Sequence, residues 1–193
     1  MMVNIPNMLT LFRIILIPVL VVMYFWPSPY REIIITSIFV LAACTDWLDG
    51  FLARRMNAIS ALGEFLDPVA DKLIVSSALV LLVSDIKVLD NVLHPIPFTL
   101  AVTIIIGREI VISALREWMS ELGERGEVAV GLLGKFKTAF QMISISLLLY
   151  GKSLSGLPVF RIGEILLYLA ALLTLWTMFE YLRAARPYLS ENR

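Results

Sequence analysis

Asp46-Trp47-Leu48-Asp49-Gly50-Phe51-Leu52-Ala53-Arg54, followed by Gly63-Glu64-Phe65-Leu66-Asp67-Pro68-Val69-Ala70-Asp71, puts four aspartates where a membrane-embedded chain should avoid them. On a helix, Asp46, Asp49, Gly50 and Ala53 follow the i, i+3, i+4, i+7 pattern and share one face. Asp67 and Asp71 are i, i+4 neighbours, as are Gly63 and Asp67. Each pair of aspartates covers about one helical turn, on the order of 5–6 Å of rise. Carboxylates crowded beside a bilayer repel one another and resist desolvation, so they need compensation. A pair of hard divalent cations held by oxygen ligands supplies it, and two such ions are the apparatus of phosphoryl chemistry. Gly50, Ala53 and Gly63 add little bulk beside the aspartates, which lets a ligand approach the backbone. Arg54 complements a diphosphate through charge-assisted hydrogen bonds.

The rest of the chain explains why these acids are exceptional. Of its 193 residues 59% are hydrophobic, and the mean hydropathy is +0.85, too apolar for an ordinary soluble domain. Apolar segments recur at lengths that cross a bilayer as helices, at about residues 8–26, 32–53, 67–85, 95–116, 135–151 and 157–183. The fold expected is an all-α integral membrane protein, a single domain over 1–193, with six transmembrane helices. The first segment contains Arg13 and Pro18, has no basic stretch before it and no small-x-small cleavage site, so it reads as a retained helix.

Charge distribution sets the expected orientation. With the amino terminus cytoplasmic, Arg13, Arg54, Arg55, Lys72, Arg108, Arg116, Arg125, Lys135, Lys137, Arg183, Arg186 and Arg193 lie on or near the inner side. Only Arg31, Lys87, Lys152 and Arg161 fall near the other face. This positive-inside bias puts both termini and all four aspartates at the cytoplasmic interface. The formal net charge of zero gives no attraction for polyanions, and no nucleic-acid partner is expected. Cys44, the single cysteine, excludes an intrachain disulfide and reads as a small packing residue. His94, the single histidine, reads as a loop residue at the opposite membrane end from Cys44. The stretch before Lys135 is not a phosphate loop, because Ala129 stands where its first glycine is required and Phe136 follows the lysine.

The complete pattern D-x2-D-G-x2-A-R-x8-G-x3-D-x3-D, from Asp46 to Asp71, resembles the signature of the CDP-alcohol phosphotransferase family of membrane enzymes. The family's six-helix architecture agrees with the span count. The resemblance implies that Asp46, Asp49, Asp67 and Asp71 bind two divalent cations, Mg2+ or Mn2+, which hold the diphosphate of a CDP-linked lipid. It implies further that Asp71 is the base that deprotonates the acceptor alcohol. Gly50, Ala53, Arg54 and Gly63 match positions that contact the cytidine nucleotide, and Asn7, Thr10 and Arg13 match positions assisting at the diphosphate. A homodimer in a bacterial cell membrane is implied likewise.

Three further segments resemble the branch of the family that uses CDP-diacylglycerol and glycerol 3-phosphate. They run from Asn4 to Arg13, from Gly107 to Trp118 and from Gly134 to Thr138. A phosphorylated acceptor needs a cationic pocket, and Arg108, Arg116, Lys135 and Lys137 are its candidates, with Arg108 paired to an acid such as Glu109 or an aspartate. Phosphatidylglycerol, inositol phosphate and serine are alternative acceptors within the same chemistry. A divalent-cation transporter is the alternative from another class. Against it, the carboxylates cluster at one end of their spans instead of mid-membrane, and no internal repeat is visible.

Overall fold

The computed structural model describes residues 5–56, 61–121, 132–153 and 156–190. Among these the long regular elements are all helices: α1 (Ile5–Phe25), α2 (Arg31–Met56), α3 (Ala61–Ser84), α4 (Ile86–Asn91), α5 (Pro95–Glu121), α6 (Leu132–Tyr150) and α7 (Val159–Ser190). Local chemistry sets several boundaries. The Asp85 side chain accepts the Lys87 N–H at 2.9 Å and caps α4. Pro95 opens α5, where its missing N–H costs nothing. Gly151 follows α6 with φ of 64°, and its N–H reaches the Leu147 carbonyl at 3.0 Å, closing the helix with the left-handed residue that glycine tolerates best.

The helices extend beyond the apolar runs in the sequence. α2 continues to Met56 and α3 begins at Ala61, so the expected 54–66 link is mostly helix, and all four aspartates are helical. Hydropathy marks what a bilayer accepts, whereas backbone hydrogen bonding carries a helix on through polar turns. The stretch between the third and fourth apolar segments contains α4, stabilised by its Asp85 cap.

Contacts arrange the six long helices in a closed ring: α1 against α2, α2 against α6, α6 against α7, α7 against α5, α5 against α3, and α3 back against α1. α2 and α3 touch each other only over a short stretch, and α1 packs extensively on both. Leu20, Phe39, Ala78, Leu82, Phe98, Ile105, Ile145 and Leu167 belong to the central core they share. α6 and α7 approach closely at Gly163, whose carbonyl accepts the Ser144 hydroxyl at 2.7 Å.

Among the described residues three helical stretches, Asn7–Phe25, Pro95–Glu121 and Val159–Arg186, are long and apolar enough to cross a membrane, and Phe136–Tyr150 is a shorter apolar stretch. Large apolar side chains such as Ile15, Val22, Leu100, Ile110, Leu172 and Phe179 point outward, the surface expected of a chain whose solvent is lipid. Cys44, expected inside, is exposed on α2 beside outward-facing Val40 and Leu41.

Candidate active site

α1 and α3 run in the same direction and are tied at both ends. At one end the Thr10 hydroxyl donates to Asp67 Oδ1, and Arg13 Nη1 donates to Asp71 Oδ1 at 2.5 Å. At the other, the Tyr24 hydroxyl donates to Asp85 Oδ2 at 3.0 Å. Thr10 and Arg13 are i, i+3 neighbours, as Asp67 and Asp71 are i, i+4, so one face of each helix forms a two-rung polar ladder.

Arg13 joins the second aspartate group to the first. Its Nη1 also lies 3.1 Å from Asp46 Oδ1 on α2. The Arg13 side chain is fully buried, whereas those of Asp46 and Asp71 are 49% and 45% exposed. The guanidinium therefore sits behind the carboxylates, drawing two of them together while their other oxygens stay accessible. Arg13 Nε and Nη2 are buried and have no hydrogen-bond partner among the described residues.

α2 and α3 are thus joined at their aspartates through α1, and Arg13 is the link. Sequence reasoning placed Arg13 beside the diphosphate by resemblance and did not foresee it as a counter-ion. The signal was present: an arginine inside an apolar span needs an acidic partner.

A second polar group lies at the same end of the bundle. Glu109 Oε1 accepts from Arg108 Nη1 at 3.1 Å and from Lys137 Nζ at 2.6 Å, joining α5 to α6. The expected Arg108–Glu109 pair is present, and Lys137 joins it from a buried position. On α7 the Tyr181 ring lies between two guanidiniums, its centroid 5.7 Å from Arg108 and 5.5 Å from Arg116. Arg116 Nη2 also donates to the Tyr181 hydroxyl at 3.3 Å. Tyr181 was not singled out from the sequence, because nothing in its local sequence separates it from an aromatic at a membrane interface.

Asn7 and Gly63 fall at the aspartate end on α1 and α3, and Gly63 is buried. Asp49, Gly50, Ala53 and Arg54 belong to α2 and Lys135 to α6, but their side-chain surroundings lie outside the described residues.

Among the described residues no three acidic or histidine side chains stand as a formed metal site. The donor set nevertheless fits a hard divalent cation: it consists of carboxylate oxygens, two of them on half-exposed side chains held together by a buried cation. Asp67 adds its charge to the field at Asp71. Ligands of this kind favour magnesium, manganese or calcium over metals that prefer sulfur or imidazole.

Carboxylates gathered on a buried arginine, and a cationic group held by Glu109, thus share one end of the helix bundle. Residues 3–176 match the model of the CDP-alcohol phosphatidyltransferase family, and the chain belongs to that family. It is 49% identical over 183 residues, 95% of each chain, to a Salmonella choleraesuis protein named CDP-diacylglycerol–glycerol-3-phosphate 3-phosphatidyltransferase. Proteins of the same name from Sodalis glossinidius, at 47% identity over the full length of both chains, and from Shigella flexneri, at 48% over 95% of each, are similarly related.

Proposed function

We propose that this protein transfers the phosphatidyl group of CDP-diacylglycerol to glycerol 3-phosphate, giving phosphatidylglycerophosphate and CMP, as its relatives are named for doing. The observation that carries this reading is the meeting of three motif aspartates, Asp46, Asp67 and Asp71, around Thr10 and Arg13 in a chain of this family.

In this reading the six long helices span a bacterial cell membrane with both termini and the aspartate end cytoplasmic, the protein pairs as a homodimer, and lipid surrounds its outer faces. Asp46, Asp49, Asp67 and Asp71 would hold two divalent cations, Mg2+ or Mn2+, which when bound neutralise the diphosphate and the charge left on departing CMP. Arg13 holds Asp46 and Asp71 together and in position. Asp71 accepts the proton of the acceptor hydroxyl. The freed oxygen attacks the phosphorus that carries diacylglycerol, the bond from that phosphorus to the bridging oxygen breaks, and CMP departs with the electron pair. Displacement is direct, because Cys44, the one thiol, lies on the outward face of α2 and no covalent intermediate is needed.

Gly50, Ala53, Arg54 and Gly63 contact the cytidine nucleotide, and Asn7, Thr10 and Arg13 serve at the diphosphate. Arg108, Arg116, Lys135 and Lys137 receive the acceptor's phosphate. Glu109 and Tyr181 hold three of these cations in place before the substrate arrives, so less ordering remains to be done on binding.

The deciding experiment is an acceptor screen on purified protein with CDP-diacylglycerol, scored by CMP release and product mass. Glycerol 3-phosphate should give phosphatidylglycerophosphate. A product formed only with phosphatidylglycerol, inositol phosphate or serine would reassign the acceptor, and no CMP release with any of them would overturn the reading.

A further inference from the structure

At the end of the bundle remote from the aspartates, α1, α2, α3, α4, α6 and α7 surround a cleft of about 620 Å³, part of it open to solvent. Its charged residues are Arg31, Lys87 and Lys152 against Glu32 and Asp85, one cation more than the carboxylates present. Arg31 is committed to the wall: it lies 3.6 Å from both Asp85 Oδ2 and Glu32 Oε1, and its guanidinium stacks on the Tyr24 ring. Lys152 is half exposed and reaches Glu32 Oε2 at 3.2 Å. Lys87 is exposed, its ammonium in no ion pair among the described residues; only its backbone N–H engages Asp85.

Apart from Tyr24, Asn91 and Gly151 the remaining lining is apolar, with Ile35, Leu82, Leu148, Leu149 and Phe160 contributed by four helices. A small inorganic anion needs only the cationic residues. A cleft that sets surplus positive charge beside an apolar lining suits an amphiphile, whose phosphate meets the lysines while its glyceryl carbons lie against the aliphatic side chains. We infer that this cleft binds the headgroup phosphate of an anionic phospholipid, at a site separate from the one where the reaction occurs. Lys87 and Lys152 are the movable contacts, and Arg31 with Asp85 forms the fixed wall. Because Lys87 belongs to α4 and Lys152 to the segment after α6, a bound lipid ties together two connections that no ion pair joins among the described residues.

The test uses the full chain in neutral detergent, with lipid retention counted by native mass spectrometry. Dioleoyl phosphatidylglycerol is compared with dioleoyl phosphatidylcholine and with inorganic phosphate. Wild type should retain one phosphatidylglycerol in preference to phosphatidylcholine. Lys87→Ala should weaken that retention about fivefold, and Lys87→Ala/Lys152→Ala further, by about the same factor again. Lys87→Arg should restore it, and CMP release should stay at the wild-type level in every variant. Equal retention by wild type and the double variant would overturn the proposal. So would an equal loss in Arg183→Ala, an exposed cation at the other end, which would mean diffuse attraction. Displacement of the lipid by an equal concentration of inorganic phosphate would reduce the cleft to an ion site and overturn the lipid assignment. If the double variant does not fold, Lys87→Ala decides alone.

Discussion

Arg13 Nη1 lies 2.5 Å from Asp71 Oδ1, and the arginine has no exposed surface although its acidic partner is nearly half exposed. The same nitrogen lies 3.1 Å from Asp46 Oδ1, so a single buried group sets the relation between the two aspartate pairs. Arg13→Met keeps much of the volume but removes the charge, leaving two carboxylates to repel each other. CMP release should fall by about 100-fold or more, the usual cost of losing a preorganised charge at a reacting centre. Arg13→Lys should lie between the two. Near-normal turnover in Arg13→Met, measured on folded protein, would show that the pair has no part in catalysis.

Asp71→Asn separates two duties of one residue. The amide retains an oxygen that can stay near Arg13 but cannot accept the acceptor's proton. Turnover should drop by about 10²–10⁴ while binding of the CDP-lipid persists, as read by nucleotide protection or calorimetry. Unchanged turnover would move the base role to another carboxylate.

Removal of metal should act on stability as well as on rate. Chelation with EDTA should stop CMP release, and either Mg2+ or Mn2+ should restart it. Because a cation bound only by the folded state stabilises it, Mg2+ should also raise the thermal midpoint of the wild-type protein. The same addition should move Asp46→Asn/Asp67→Asn much less. An identical rise in that variant would mean that the ion acts elsewhere.

Composition and the spacing of apolar runs were enough to read an all-helical chain, and the motif was enough to place four aspartates on two helices, though not to show that both helices run on past them. The pairing of Arg108 with Glu109 was also foreseeable, since a cation near a span needs a nearby acid. The geometry around Arg13 was less legible because it depends on which helices become neighbours. The order α1–α2–α6–α7–α5–α3 is set by packing between segments far apart in sequence. Tyr181 was hidden for the same reason: its meaning comes from two arginines on α5, and its own sequence neighbours say nothing of them. α4 was missed because six residues capped by one aspartate leave too short a pattern to stand out from a loop.

Gly163 marks the closest approach of α6 and α7. A Cβ added there would meet Leu147 Cβ at 3.0 Å and the Leu148 backbone nitrogen at 3.2 Å, neither of which can swing away. Gly163→Val must therefore push the helices apart and strain the hydrogen bond from Ser144 to the Gly163 carbonyl. The expected loss of stability is about 1–3 kcal/mol, typical of overpacking, and should appear as a lower thermal midpoint in detergent. An unchanged midpoint would mean that the two helices are less tightly apposed than these distances require.

Tyr181 offers a test of the acceptor pocket that leaves every cation in place. Its ring is flanked by Arg108 and Arg116 at 5.7 and 5.5 Å, and its hydroxyl accepts from Arg116 at 3.3 Å. Tyr181→Phe keeps the ring and loses only the hydrogen bond, so a small rise in KM for glycerol 3-phosphate is expected. Tyr181→Ala removes both ring contacts, leaving Arg108 held by Glu109 alone, and each cation–π contact is worth about 0.5–2 kcal/mol, so KM for the acceptor should rise about tenfold. The KM for CDP-diacylglycerol should hardly move, and kcat should fall less than kcat/KM, because the loss lies in binding the acceptor's phosphate. A general collapse of kcat with both substrates equally affected would instead assign Tyr181 to the packing of α5 against α7, where it shares a small core with Ile112, Met119 and Ala185.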